Sequence, residues 1–131
     1  MDILRITRVS WYSMSAKKSP QQQPSGAVTI ALDEARIRTI AYLLFEQKKS
    51  YNDYIWMLAE AELKLSKALV EPLKAGQAIV RIIPSKIIVA PAQVDINKRA
   101  ESLAKEGIKI QDIHWFIAIR NFIIEEAKNQ K

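Results

Sequence analysis

The spacing of apolar residues predicts four amphipathic helices that form two pairs. In residues 37–45, apolar side chains recur three, four, seven and eight positions apart, which places them on one helix face. Asp33 is an N-cap candidate for this helix, and Ser50 is one for a second helix. We expect a third helix to begin after Asp95. The fourth, at about residues 111–127, is apolar around most of its circumference, which predicts a central or interface position.

Short β-branched segments and chain breakers separate these helices. Residues 3–9 and 77–94 predict short strands or extended segments, and either 3–9 or 79–90 could offer or accept a strand edge. We expect the second helix to continue to about Pro72 and to stop by Gly76. Gly107 is typical of the residue that ends a helix, here the third.

An offset of 59 residues relates the two predicted helix pairs. The identical pairs include Ile37 and Ile96, Ala41 and Ala100, Leu44 and Leu103, Asp53 and Asp112, Trp56 and Trp115, and Ala59 and Ala118. Shared periodicity accounts for part of this match, but it does not require the repeated Asp-x-x-Trp-x-x-Ala. A lone hairpin of about 35 residues rarely buries enough surface to fold. We therefore predict a mostly α fold in which two related hairpins form a four-helix core.

The same pattern predicts the domain organisation. Residues 1–26 read as a basic, flexible N-terminal arm and linker, because residues 13–26 are polar and contain two prolines and three glutamines. Residues 27–131 read as a single helical domain with short extended segments. Within it we expect one repeat at about 27–65, a connector at about 66–85 and a second repeat at about 86–124.

The excess positive charge is concentrated in two segments, which are therefore the expected contacts for an acidic partner. The 131 residues carry a formal charge of +6. Residues 1–32 hold four basic side chains and one acidic side chain, and residues 76–94 hold two basic side chains and no acidic ones, whereas the predicted hairpins are nearly neutral. A helix that lies along phosphates would usually show a basic face. The charge therefore favours contacts through the arm and the connector.

Two stretches of the first hairpin carry a family resemblance. Residues 37–46 (IRTIAYLLFE) and 56–63 (WMLAEAEL) resemble a short bacterial domain of unknown function with the pattern I-R-x-x-A-Y-x-L-W-E, a glycine-containing turn, and W-x-x-A-E-x-E-L. Phe45 stands where that domain has Trp, and Lys48 and Lys49 stand where it has Gly. The second hairpin matches only in part. The resemblance implies a helical hairpin, and it implies no activity.

Catalytic and metal-binding patterns are sparse. The chain has no cysteine and one histidine, His114, which lies in an apolar helix and is expected to be packed. Glu60 and Glu62 are two residues apart and therefore point to different helix faces. The three glycines are too far apart for a phosphate-binding loop. We expect a protein that is not an enzyme and that uses no metal, cofactor or small-molecule substrate.

Aromatic residues outside the helical core pattern favour protein binding. Aromatic side chains are enriched in interface hot spots, and the apolar fourth helix suggests a partner groove or self-association. We expect a small accessory or adaptor protein that binds a larger protein or forms a homodimer. The candidate contact residues are Trp11, Tyr12, Tyr51, Tyr54, Trp56 and Trp115.

Nucleic-acid binding by the arm is the alternative hypothesis. Cations beside aromatic side chains can follow phosphates and stack on bases. The cations in question are Arg5, Arg8, Lys17 and Lys18, which flank Trp11 and Tyr12. No stretch reaches the roughly 20 apolar residues of a membrane span. Asp2 and the lack of a hydrophobic leader argue against a secretory signal. We therefore expect a cytoplasmic location.

Overall fold

The computed structural model describes residues 26–129. The predicted arm at 1–26 and the predicted strand at 3–9 therefore lie almost wholly outside the described residues. The elements follow in the order β1 (Val28–Ala31), α1 (Glu34–Glu46), α2 (Tyr51–Leu65), β2 (Ile79–Ile82), α3 (Gln93–Glu106) and α4 (Ile110–Lys128), with a 3-10 turn at Pro84–Lys86 between β2 and α3. The prediction of a mostly α fold built from two helical hairpins is confirmed.

Local capping determines where the first hairpin begins each helix. The Asp33 side chain accepts a hydrogen bond from the backbone N–H of Arg36, and the Ser50 side chain accepts one from Asp53. Each bond satisfies one of the backbone donors that a helix start leaves without a partner. Both predicted N-caps are therefore confirmed.

Two predicted helix boundaries are wrong. α3 begins at Gln93, so Asp95 lies in its first turn, where a negative charge also favours the helix dipole. α2 ends at Leu65 rather than near Pro72. The reason is that residues 68–70, directly after α2, use their backbone groups to pair with β2.

The small sheet pairs the segment before α1 with the connector that follows α2. β1 and β2 are antiparallel, with Val28 opposite Ile82 and Ala31 opposite Ile79. On its other side β2 meets residues 68–70, where Val70 N–H donates to the Arg81 carbonyl at 3.0 Å. Residues 81 and 82 are thus paired on both sides, so this part of the predicted edge at 79–90 is occupied. Residues 87–90 form no strand, contrary to their match with β1.

The core forms between the hairpins rather than within each one. α1 packs mainly on α4, while α2 packs on both α3 and α4. α1 and α4 are antiparallel, because Arg36 at the start of α1 is 2.9 Å from Glu126 near the end of α4. Fully buried apolar side chains from all four helices meet here, among them Ile37, Leu58, Leu103, Ile117 and Phe122.

The hairpins keep the offset of 59 residues in three dimensions. α1 and α3 begin at residues 34 and 93, and α2 and α4 begin at residues 51 and 110. The left-handed residue in each hairpin turn follows the same rule, since Lys48 has φ 52° and Gly107 has φ 68°. Lys48 thus holds a backbone conformation that suits glycine.

Replacing Lys48 with glycine should stabilise the protein. A left-handed conformation costs a residue with a Cβ atom roughly 1–2 kcal/mol, and the greater freedom of glycine in the unfolded chain offsets part of the gain. We expect Lys48→Gly to raise the free energy of unfolding by about 0.5–1 kcal/mol in urea titrations. Lys49→Gly, which removes the same charge from the same turn at a residue without positive φ, should give no gain. Equal effects of the two changes would contradict this account.

Candidate functional site

A cleft of about 570 Å³ opens between the start of α1, residues 73–78 and one face of α4. Its size is within the range of pockets that accept several side chains or a small ligand. Most of the lining is apolar. The apolar lining consists chiefly of Leu32, Ile37, Leu73, Trp115, Phe116 and Ile119.

α4 supplies the aromatic wall of the cleft. Trp115 is half-buried, and Phe116 is 37% exposed although it is a large apolar side chain. Residues 75 and 76 on the opposite wall are alanine and glycine, so they have almost no side chain to fill the cleft. Gly76 has a φ of 74°, a backbone conformation that glycine adopts without strain. The result is an open groove with a large ring on one side and small residues on the other.

Three charged side chains also line the cleft. The Glu34 carboxylate is 2.7 Å from the Arg38 guanidinium, one helical turn further along α1. Lys74 lies on the exposed segment that forms the opposite wall. Arg120 lies on α4, and only 18% of its side chain is exposed. The cleft therefore has one partnered acidic group and two basic groups.

Arg120 is only weakly compensated by the protein around it. Its Nη1 donates to the Phe116 carbonyl at 3.0 Å, and its Nη2 is 3.9 Å from Glu62 Oε2. Glu62 is much closer to Arg99, whose Nε donates to Glu62 Oε1 at 2.6 Å and whose pKa is raised by that hydrogen bond. Burial lowers the pKa of Arg120, because losing water disfavours the charged form.

The predicted contact residues occupy different environments. Trp115 lies in the cleft. Tyr51 and Trp56 are half-buried at contacts between the hairpins: the Tyr51 hydroxyl donates to the Ile108 carbonyl at 2.7 Å, and Trp56 Nε1 donates to Asn97 Oδ1 at 3.3 Å. The remaining candidates lie outside the described residues, namely Trp11 and Tyr12 for protein binding and Arg5, Arg8, Lys17 and Lys18 for nucleic acid.

Tyr54 belongs to the core, so its prediction as a surface contact is wrong. Its side chain is 2% exposed. The hydroxyl donates to the Leu44 carbonyl at 2.5 Å and accepts from the Lys49 backbone N–H at 3.1 Å. These bonds satisfy backbone groups at the end of α1 and in the turn that follows it. Tyr54 therefore holds the first hairpin turn in place.

His114 is packed between aromatic rings, as its apolar helix predicts. It is 7% exposed, and its ring meets Tyr54 edge to face at 4.5 Å between centroids and Phe45 at 6.1 Å. Among residues 26–129, no hydrogen-bond partner reaches its Nε2 atom. Burial lowers the pKa of His114, because the charged imidazolium loses its water.

The sequence pattern alone did not single out several cleft residues. Phe116 and Ile119 were apolar positions of an all-round apolar helix, and that property was the available signal. Leu73 and Lys74 lie in a segment without periodicity, so no pattern pointed to them. Arg120 is a cation in a mostly apolar helix, and the sequence pattern does not indicate that it lies beside a cleft.

Three comparisons with known proteins found no match for this chain. No protein-family model matches the chain, and neither a search of curated proteins nor a search of solved structures finds a match. The resemblance to a bacterial helical-hairpin domain therefore stays a prediction.

Within residues 26–129, no His, Asp and Glu side chains gather in a group of three that could hold a metal ion. No helix in that part has both the length and the apolar content needed to cross a bilayer.

Acid should destabilise the fold through His114. Because the pKa of His114 is lower in the folded state, the unfolded chain binds its proton more readily. This contribution to stability is complete above pH of about 6.5 and is lost as the pH falls toward the folded-state pKa, by at most about 1.4 kcal/mol per pH unit. His114→Phe keeps a ring beside Tyr54 and removes the titration. Urea unfolding between pH 7.5 and 5.5 should show a smaller loss of stability in the variant, and equal losses would contradict the prediction.

Removing the Tyr54 hydroxyl should weaken the first hairpin turn. Tyr54→Phe removes one of two donors to the Leu44 carbonyl, which keeps its bond from the Gln47 N–H, and it removes the acceptor of the Lys49 N–H. The free energy of unfolding should therefore fall by about 0.5–1.5 kcal/mol. The matched control is Tyr42→Phe, since the Tyr42 ring is exposed. We expect no measurable change in the control. Similar urea midpoints for both variants would rule out a structural role of the Tyr54 hydroxyl.

Proposed function

We propose that the protein is a small, non-enzymatic accessory or adaptor of the cytoplasm that binds a larger protein through the cleft on α4. The observation that carries the proposal is the aromatic wall: Trp115 and Phe116 lie side by side on a rigid helix and face an open groove. Phe116 remains more than a third exposed. A large ring that the fold itself does not cover favours contact with another molecule.

The composition of the cleft supports a protein partner. Trp and Arg are two of the residue types most enriched among interface hot spots, which cluster in desolvated pockets. Here Trp115 and Arg120 lie in one groove with Phe116 and Ile119. Such a groove suits an apolar side chain of a partner, with polar contacts at the rim. Self-association through the same surface is the other way to cover it.

The two hairpins differ at the position that carries the cleft. We infer from the shared offset of 59 residues that the chain is a duplicated hairpin, in which Trp56 and Trp115 are equivalent. Trp56 donates to Asn97 on α3, so its indole is engaged between the hairpins. Trp115 instead borders the groove beside residues 73–78. On this inference, one copy of the tryptophan kept a packing role and the other became available for binding.

Capture from native extract tests the proposal if it is paired with a cleft variant. The tagged full chain is incubated with extract, with and without nuclease, beside Phe116→Glu. We expect one defined protein to be retained after nuclease and to fall at least tenfold with Phe116→Glu, since a charge replaces an apolar contact worth about 1–3 kcal/mol. Circular dichroism checks that the variant is folded.

The matched control places the same charge elsewhere. Val89 is 84% exposed and lies away from the cleft lining, so Val89→Glu should capture the partner as the wild type does. Equal capture by wild type and Phe116→Glu would contradict the proposal. Loss of every captured protein on nuclease treatment would favour the nucleic-acid alternative instead. A captured second copy of this chain, lost with Phe116→Glu, would indicate homodimerisation through the cleft.

A further inference from the structure

We propose that the partner segment held in the cleft carries a carboxylate beside its apolar side chain, and that Arg120 is the group that selects it. This inference rests on the proposed function, because it names the chemistry of the same site. It commits to a protein segment as the source of the carboxylate. Charge complementarity with Arg120 favours such a segment.

Arg120 carries a positive charge that the protein around it balances only in part. Buried cations in proteins are normally paired with an anion at hydrogen-bond distance. The closest carboxylate to Arg120 in the described part of the chain is that of Glu62, at 3.9 Å, and it is tied to Arg99 at 2.6 Å. A single carboxylate thus serves two guanidinium groups and lies much closer to one of them. A second anion would complete the pairing of Arg120.

The cleft is a route by which a second anion can reach Arg120. Arg120 lines the cleft, so a group that enters the cleft can approach it. Among residues 26–129, the one acidic residue that lines the cleft, Glu34, is held by Arg38 at 2.7 Å on α1. Lys74 adds a further positive charge on the opposite wall. The local field of the cleft therefore favours an incoming negative group over a positive one.

The cleft presents an apolar wall next to the positive charge of Arg120. Trp115, Phe116 and Ile119 offer a surface for an aliphatic or aromatic group within about one and a half turns of Arg120 along α4. A guanidinium can bind a carboxylate with two parallel hydrogen bonds, which gives orientation as well as affinity. An apolar group with a carboxylate a few bonds away matches both parts of the cleft.

A head-group series tests the chemistry without knowledge of the partner. Octanoate, octanol and octylamine share one apolar chain and differ in charge, and calorimetry with the full-length protein measures their dissociation constants. We expect octanoate to bind at least tenfold more tightly than octanol or octylamine. Equal affinities, preference for octylamine, or no binding of octanoate would overturn the inference.

Two substitutions on α4 assign the selectivity to Arg120. Arg120→Gln should bring the affinity for octanoate to within about twofold of that for octanol and leave the affinity for octanol unchanged. Lys128→Gln removes a charge from the exposed end of the same helix and should leave the preference intact. Unchanged octanoate preference in Arg120→Gln would overturn the assignment.

A second variant keeps the test decisive if Arg120→Gln does not fold. Glu62→Gln removes the carboxylate that competes for Arg120, so the affinity for octanoate should rise several-fold while that for octanol stays the same. A fall or no change in octanoate affinity would overturn the role of Arg120.

Competition distinguishes the source of the carboxylate. Octanoate near its dissociation constant should displace the captured protein partner, and octylamine at the same concentration should not. Octanoate that binds selectively but displaces no partner would overturn the assignment to a protein segment, because the cleft would then serve a free carboxylate. If Phe116→Glu abolishes capture while octanoate shows no preference, only this inference fails. If Phe116→Glu captures the partner as well as the wild type does, the proposed function fails.

Discussion

The packing of each hairpin against the other is the constraint on which the rest of the structure depends. α1 rests mainly on α4, and α2 rests on α3 and α4, so the apolar face of each hairpin is covered by helices that come from the other half of the chain. Ile37 and Leu58 of the first hairpin are buried in the same core as Leu103 and Ile117 of the second. α4 touches both helices of the first hairpin, which explains why it is apolar nearly all round.

The cleft follows from the unequal surroundings of the two hairpins. The outer side of α4 faces residues 73–78 across an open groove, and Trp115 and Phe116 lie on that side. At the equivalent position of α2, Trp56 is bonded to Asn97 of α3. The sheet contributes to this difference, because β2 fixes one end of residues 73–78 beside the start of α1. An open, mostly apolar groove thus arises on one half of the helical core.

Local chemistry in the sequence was enough to predict the helices but not the cleft. Asp33, Ser50 and Gly107 act within one turn of their own helix, so their roles could be predicted without knowledge of the fold. The end of α2 at Leu65 depends on pairing between residues 68–70 and β2, which no local pattern reveals. The burial of Tyr54 depends on His114 from the other hairpin. The cleft needs residues 73–78, which have no periodicity, to meet α4 through long-range contacts.

Native-state hydrogen exchange tests most directly whether the two hairpins share one core. If they do, the most protected amides of all four helices, for example near Leu44, Leu58, Leu103 and Ile117, will open together. Their exchange will then give one common free energy that equals the free energy of global unfolding. Exchange of one hairpin at a clearly lower free energy, while the other hairpin stays protected, would contradict the account, because each hairpin would then hold a core of its own.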